Sequence, residues 1–136
     1  MTMRLLALVP GVYDTSPGQR FRLEQWEPWL RDAGIDVSWQ PFENAELHAA
    51  LYRPVGTTRK AELIRQAVVR RMALLRTVRD YDAVYVFREA ALLGPPILER
   101  WIAKSGVPFV FDFDDAVFLR YVSPENGYLS WLKFPG

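Results

Sequence analysis

The chain has 136 residues, 50% of them apolar and 24% charged, which allows a buried core and argues against a disordered chain. Its 17 basic and 16 acidic residues leave a net charge of +1, which excludes a globally basic nucleic-acid binder. Cysteine is absent and His48 is the only histidine, so disulfides, thiolate zinc sites, cysteine nucleophiles and histidine metal clusters are excluded.

Residues 4–9 form a continuous apolar run that stops at Pro10-Gly11, which predicts a strand buried on both faces. The same run imitates the start of a secretory signal, but no small-residue cleavage site follows it, and this reading places the chain in the cytoplasm. No apolar run approaches the ~18–20 residues of a membrane span. Residues 10–18 read as a loop. A helix is predicted over 19–33, with Phe21, Leu23, Trp26, Trp29, Leu30 and Ala33 as its apolar face, a kink at Pro28 and a stop at Gly34. Residues 35–40 alternate, as a strand near the sheet edge does. A short helix over 43–52 and a loop over 54–58 follow, with Thr57 or Thr58 as candidate N-cap. A long helix is predicted over 59–79, its buried stripe Leu63, Ile64, Ala67, Val68, Met72, Leu75 and Val78. Residues 83–87 form a buried strand, Pro95 and Pro96 open a helix over 96–104, and Gly106 closes it. Residues 108–113 form a fourth strand, and 115–136 mix aromatics with turn signals at Ser123-Pro124 and Asn126-Gly127. Trp26, Trp29, Trp39, Trp101 and Trp131 read as core rather than as a base-stacking platform, because basic residues do not interleave with most of them.

Strands alternating with helices predict an α/β fold: one doubly wound, Rossmann-like domain over 1–136 with a parallel sheet of strand order 2-1-3-4. The winding then reverses beside strand 1, and such sheets bind ligands at their carboxyl ends next to that reversal. Three segments meet there: 10–22, 88–90 and 112–116.

In the first segment, Gly18 permits close backbone approach, while Gln19, Arg20 and Arg22 at a helix start favour an anion. The plainer reading is that the arginines pair with surface acids, and neither nucleotide-binding glycine pattern is present. In the second, Arg88 and Glu89 directly follow an apolar strand, at a site or in a structural ion pair. In the third, Asp112, Asp114 and Asp115 crowd three carboxylates into four positions, which demands compensation by Mg²⁺, Arg20, Arg22 or Arg88. The alternative is that Asp112 or Asp114 caps the following turn. The helix over 59–79 carries Arg59, Lys60, Arg65, Arg70, Arg71, Arg76 and Arg79 against Glu62 alone. That pattern is a solvated face or a patch for anionic lipid headgroups, which would put the chain peripherally at the inner membrane face. His48 lies in a short helix with no ligand partner in sequence and is assigned no role.

Pro-Gly-Gln-Arg-Phe-Arg-Leu-Glu-Gln-Trp at 17–26, Pro-Trp-Leu at 28–30, Val-Phe-Arg-Glu at 86–89 and Asp-Phe-Asp-Asp-Ala-Val-Phe at 112–118 resemble the N-terminal half of retaining glycosyltransferases of family 4. The resemblance implies the two-domain GT-B architecture, with a sugar acceptor on this half and a nucleotide-sugar donor as co-substrate on a C-terminal domain carrying paired glutamates. It implies no bound metal or further cofactor. Gly18, Gln19, Arg20, Arg22, Arg88 and Glu89 would bind the acceptor, with Asp112, Asp114 and Asp115 as catalytic candidates. The donor half is not in this sequence, so the expectation is a fragment inactive on its own. Strand 108–113 would then be an exposed edge that invites self-association. Phe111-Asp112-Phe113-Asp114-Asp115-Ala116-Val117 also resembles the first motif of haloacid-dehalogenase-type, Mg²⁺-dependent phosphohydrolases, with Ala116 in a position that favours Thr and only 20 residues after it. Asp-x-Asp matches metal-dependent GT-A transferases as text. A non-catalytic α/β binding module is the third class, although a receiver-like domain would want acidic residues after strand 1, where Pro10-Gly11 stands.

Overall fold

The chain was analysed as a computed structural model, which describes residues 1–88, 90–91 and 96–113. Four strands, β1 (Met3–Val9), β2 (Ile35–Pro41), β3 (Ala83–Phe87) and β4 (Phe109–Asp112), form one all-parallel open sheet in the order β2-β1-β3-β4. This is the predicted Rossmann-like topology. β1 lies inside the sheet, with Leu5 opposite both Val37 and Ala83. Its apolar run explains the position: Leu6, Ala7, Leu8 and Val9 are all buried, so both faces of the strand are covered.

Helices cover the two faces. On one, Leu6, Leu8, Val84 and Val86 pack against Leu75 and Val78 and against Leu98 and Ile102 of α5 (Ile97–Lys104). On the other, Ala7, Val9 and Phe87 pack against Leu23 and Leu30. A third cluster joins Leu47 and Ala50 of α3 (Ala45–Tyr52) to Leu63 and Ala67 of α4 (Thr57–Leu74). Asn44 caps α3, its side chain accepting from the Leu47 amide at 2.8 Å. Gly34 and Gly106 follow helices with φ of +78° and +81°, conformations that glycine adopts without strain.

Several expectations are corrected. The helix over 19–33 is three pieces: α1 (Pro17–Arg22), a 3-10 turn at Glu24–Trp26, and α2 (Glu27–Asp32). Pro28 does not kink a continuous helix; it sits in the first turn of α2, where its missing N–H has no partner to lose. Breaking the helix abolishes the common face. Leu23 is buried, but Phe21, Trp26 and Trp29 are 64%, 49% and 64% exposed, and Ala33 is exposed. Trp101 is exposed too, so these tryptophans are not core; Trp131 lies outside the described residues. The long helix starts at Thr57 with Gly56 as N-cap, not Thr57 or Thr58, and gives way after Leu74 to a 3-10 turn at Leu75–Asp80. In its stripe Met72 is exposed and Arg71, expected on the basic face, is buried instead. Among the described residues no helix is long and apolar enough to cross a membrane.

Candidate functional site

The carboxyl edge of the sheet carries most of the buried polar chemistry. Parallel strands end there with carbonyls pointing out of the ladder, and each needs a donor. The loop after β1 is held by Gln19, which is fully buried. Its side-chain amide donates to the Gly11 carbonyl at 3.0 Å and to Glu24 Oε1 at 2.6 Å, and its Oε1 accepts from the Gly11 amide at 3.1 Å. The other oxygen of buried Glu24 accepts from the Asp14 amide at 2.9 Å. Gln19 therefore shapes the loop, its buried side chain bonded to Gly11 and Glu24. Gly18 lies half-buried in the first turn of α1.

Arg20 turns outward, pairing with Asp14 at 2.7 Å and donating to the Asp14 carbonyl at 3.0 Å. Arg22 goes the other way. Its guanidinium lies 3.4 Å from Asp112 Oδ1, joining positions 90 residues apart. Asp112 Oδ2 accepts from the Tyr85 hydroxyl. The Arg88 amide donates to the Asp112 carbonyl at 2.7 Å, which carries the β3–β4 ladder one residue past the strand. Arg88 itself has φ +65°, a left-handed conformation costly for a side chain of this size, and its guanidinium lies over the Phe87 ring at 5.2 Å. The structure thus brings Arg22, Tyr85, Arg88 and Asp112 to one corner of the edge and leaves Arg20 apart. Glu89, Asp114 and Asp115 lie outside the described residues.

Four further groups at this edge were given no role there from sequence. Arg71, 3% exposed, donates to the Gln40 carbonyl at 2.8 Å and the Val9 carbonyl at 3.1 Å, closing the ends of β2 and β1. Burial pushes its pKa down to about 10, an effect that Glu99 opposes and Arg70 reinforces. Glu99 accepts from the Ala90 amide at 2.8 Å and so fastens the chain just after β3. Glu43, 8% exposed, bonds His48 Nδ1 at 2.8 Å. The only sequence signal for any of these is their place directly after, or facing, a strand end. On the outer surface of α4, Arg59 pairs with Glu46 and Arg65 with Glu62, so not all of its cations are unpaired.

Chemically, the Asp112 corner combines a carboxylate acceptor, a guanidinium and a phenol. Those groups suit a polyhydroxylated ligand, whose hydroxyls both donate and accept. Exposed Phe21, next to Arg22, adds an aromatic surface on the helix that carries the arginine. Comparison with protein-family models, with curated proteins and with solved structures returned no match.

Proposed function

We propose that this chain is the acceptor-side domain of a GT-B glycosyltransferase of the retaining, family 4 type, and that a sugar acceptor sits at the Asp112 corner. The observation that carries the reading is the meeting of Arg22 with Asp112 at the carboxyl edge of a sheet ordered β2-β1-β3-β4. That edge, beside the reversal of winding at β1, is where open α/β sheets receive ligands. Asp112 accepts hydroxyl hydrogens of the acceptor, Arg22 donates to its oxygens, and Tyr85 holds the carboxylate in place. The nucleotide-sugar donor belongs to a second domain, so residues 1–136 bind acceptor without transferring sugar.

The test is saturation-transfer NMR of the 136-residue chain against methyl glycosides of glucose, galactose and mannose, followed by titration of the best binder. Arg22 and Asp112 form a half-exposed pair worth about 0–1 kcal/mol to stability, so Arg22→Ala and Asp112→Asn leave the fold intact. Each is expected to weaken the glycoside about tenfold, or ~1.4 kcal/mol. Wild-type binding that both variants retain overturns the assignment of the site. Magnesium-dependent phosphoester hydrolysis lost in Asp112→Asn moves the chain to the phosphohydrolase class.

A further inference from the structure

The Asp112 corner occupies the β3–β4 side of the carboxyl edge. On the β2 side, the same edge carries a second polar constellation. β2 ends at Pro41, and the chain continues as Phe42, Glu43 and Asn44 before α3 begins. The Phe42 amide donates to the Val9 carbonyl at 2.8 Å and the Glu43 amide to the Pro10 carbonyl at 3.1 Å. Glu43 is thereby fixed against the loop that follows β1. Its carboxylate is nearly removed from solvent, and among the described residues its partner is His48 Nδ1, at 2.8 Å. A buried carboxylate is costly unless it is paired and hydrogen-bonded, so its retention here asks for a reason.

Anchoring α3 is not that reason. Asn44 already caps the helix, Leu47 and Ala50 bury it, and the Phe42 and Glu43 amides tie its start to the sheet. The pair instead has the form of a carboxylate–histidine dyad. A carboxylate accepts only, so Nδ1 must donate, and a neutral ring is then held with its lone pair on Nε2. No described group bonds Nε2. The ring is about one-third exposed and is flanked by Tyr52, whose ring centroid lies 4.8 Å away and whose side chain is exposed. Carboxylate orientation of an imidazole by its inner nitrogen is a general device for fixing which atom the outer nitrogen presents.

We infer that Glu43 and His48 form a second hydroxyl-binding point at this edge: Glu43 fixes the ring, and His48 Nε2 accepts a hydrogen bond from a hydroxyl of the acceptor sugar. The inference rests on the reading that the edge receives a sugar acceptor. β2 and β4 are three strand spacings apart, ~14 Å, so variants at the two points act independently.

His48 is the only imidazole in the chain, so long-range ¹H–¹⁵N spectra report it alone. In the neutral ring the expected pattern has Nδ1 protonated and Nε2 bare; a protonated Nε2 with bare Nδ1 overturns the inference. Two variants separate ligand contact from structural support. In His48→Asn the short amide reaches the position of Nδ1, keeps the bond to Glu43 and removes the outward nitrogen. In His48→Gln the longer amide reaches the position of Nε2 and gives up the bond to Glu43. With methyl glycosides of glucose, galactose and mannose trisaccharides as probes, each long enough to reach both points, His48→Asn is expected to melt like the wild type and bind about tenfold more weakly. His48→Gln is expected to melt lower. If His48→Asn binds as the wild type does while Asp112→Asn does not, the dyad is only structural and the acceptor reading survives. If the wild-type chain binds none of the glycosides, both fall together.

Discussion

Arg71 explains why a helix otherwise rich in surface cations buries one of them. The Val9 carbonyl, last in β1, and the Gln40 carbonyl, next to last in β2, face a region where α4 excludes water, and a guanidinium can donate to both at once from a single side chain. Lysine presents one compact ammonium and does not reproduce that geometry. Hydrogen bonds to charged groups contribute about 1.5–3 kcal/mol each, so Arg71→Met is expected to lower stability by about 3 kcal/mol. Arg71→Lys should recover only part of it. Urea unfolding followed by circular dichroism measures both. The cost of burying the charge is present throughout the neutral range. From about pH 10 upward the unfolded chain binds more protons at this position than the folded one, so that cost is relieved as pH rises there, not as it falls. Gln19 works by the same logic on a neutral scale: one buried amide satisfies both backbone groups of Gly11 and one oxygen of Glu24.

α4 is the longest element among the described residues, and its exposed surface is organised by local pairs. Glu62 accepts from Arg65 at 2.8 Å through both of its oxygens and from Gln66 at 2.9 Å. These bonds hold the Glu62 carboxyl down to about 2 from its ordinary 4.5. A depressed carboxylate stabilises the fold above its unfolded value and loses that contribution as pH falls through its folded value. The contribution of Glu62 is therefore complete above pH 4.5 and fades as pH drops through about 2. Carboxyl-carbon NMR should find Glu62 titrating near 2, and Arg65→Ala should return it toward its ordinary range. An unshifted Glu62 in the wild type would remove this pair as a stabilising feature. The segment before β2 behaves in the opposite way. Its two short helices and 3-10 turn have no long face, so they contribute Leu23, Leu30 and the Gln19–Glu24 clamp while leaving three aromatics in solvent.

Across the whole sheet, burial is asymmetric. β1 is covered on both faces, whereas Phe109, Val110 and Phe111 of β4, the edge strand among the described residues, are exposed, Val110 at 58%. Among the described residues nothing pairs the outer edge of β4, and an apolar unpaired edge is a template for another chain. The 136-residue chain is expected to self-associate with rising concentration. Val110→Lys, which places a charge on that edge without disturbing a buried contact, is expected to suppress it. Sedimentation velocity over a concentration series checks this. Identical association by the variant would place the contact elsewhere, with the exposed Phe21, Trp26 and Trp29 the next surface to alter.

The strands and their order were legible because each is a local statement. A run such as Leu5-Leu6-Ala7-Leu8-Val9 is buried wherever a parallel sheet has a middle, and alternation with helices leaves few topologies open. The meeting of Arg22 with Asp112 followed from that topology, since both positions fall at the carboxyl edge. Helical period failed where the helix itself was interrupted, as at the Glu24–Trp26 turn, and where a polar group was needed inside, as at Arg71. The places of Gln19, Glu43, His48 and Arg71 were decided only by the folded chain. Arg71 answers carbonyls of β1 and β2, and Glu43 lies against the loop after β1 and bonds the His48 ring; the need for such partners does not exist until those stretches have come together and shut out water.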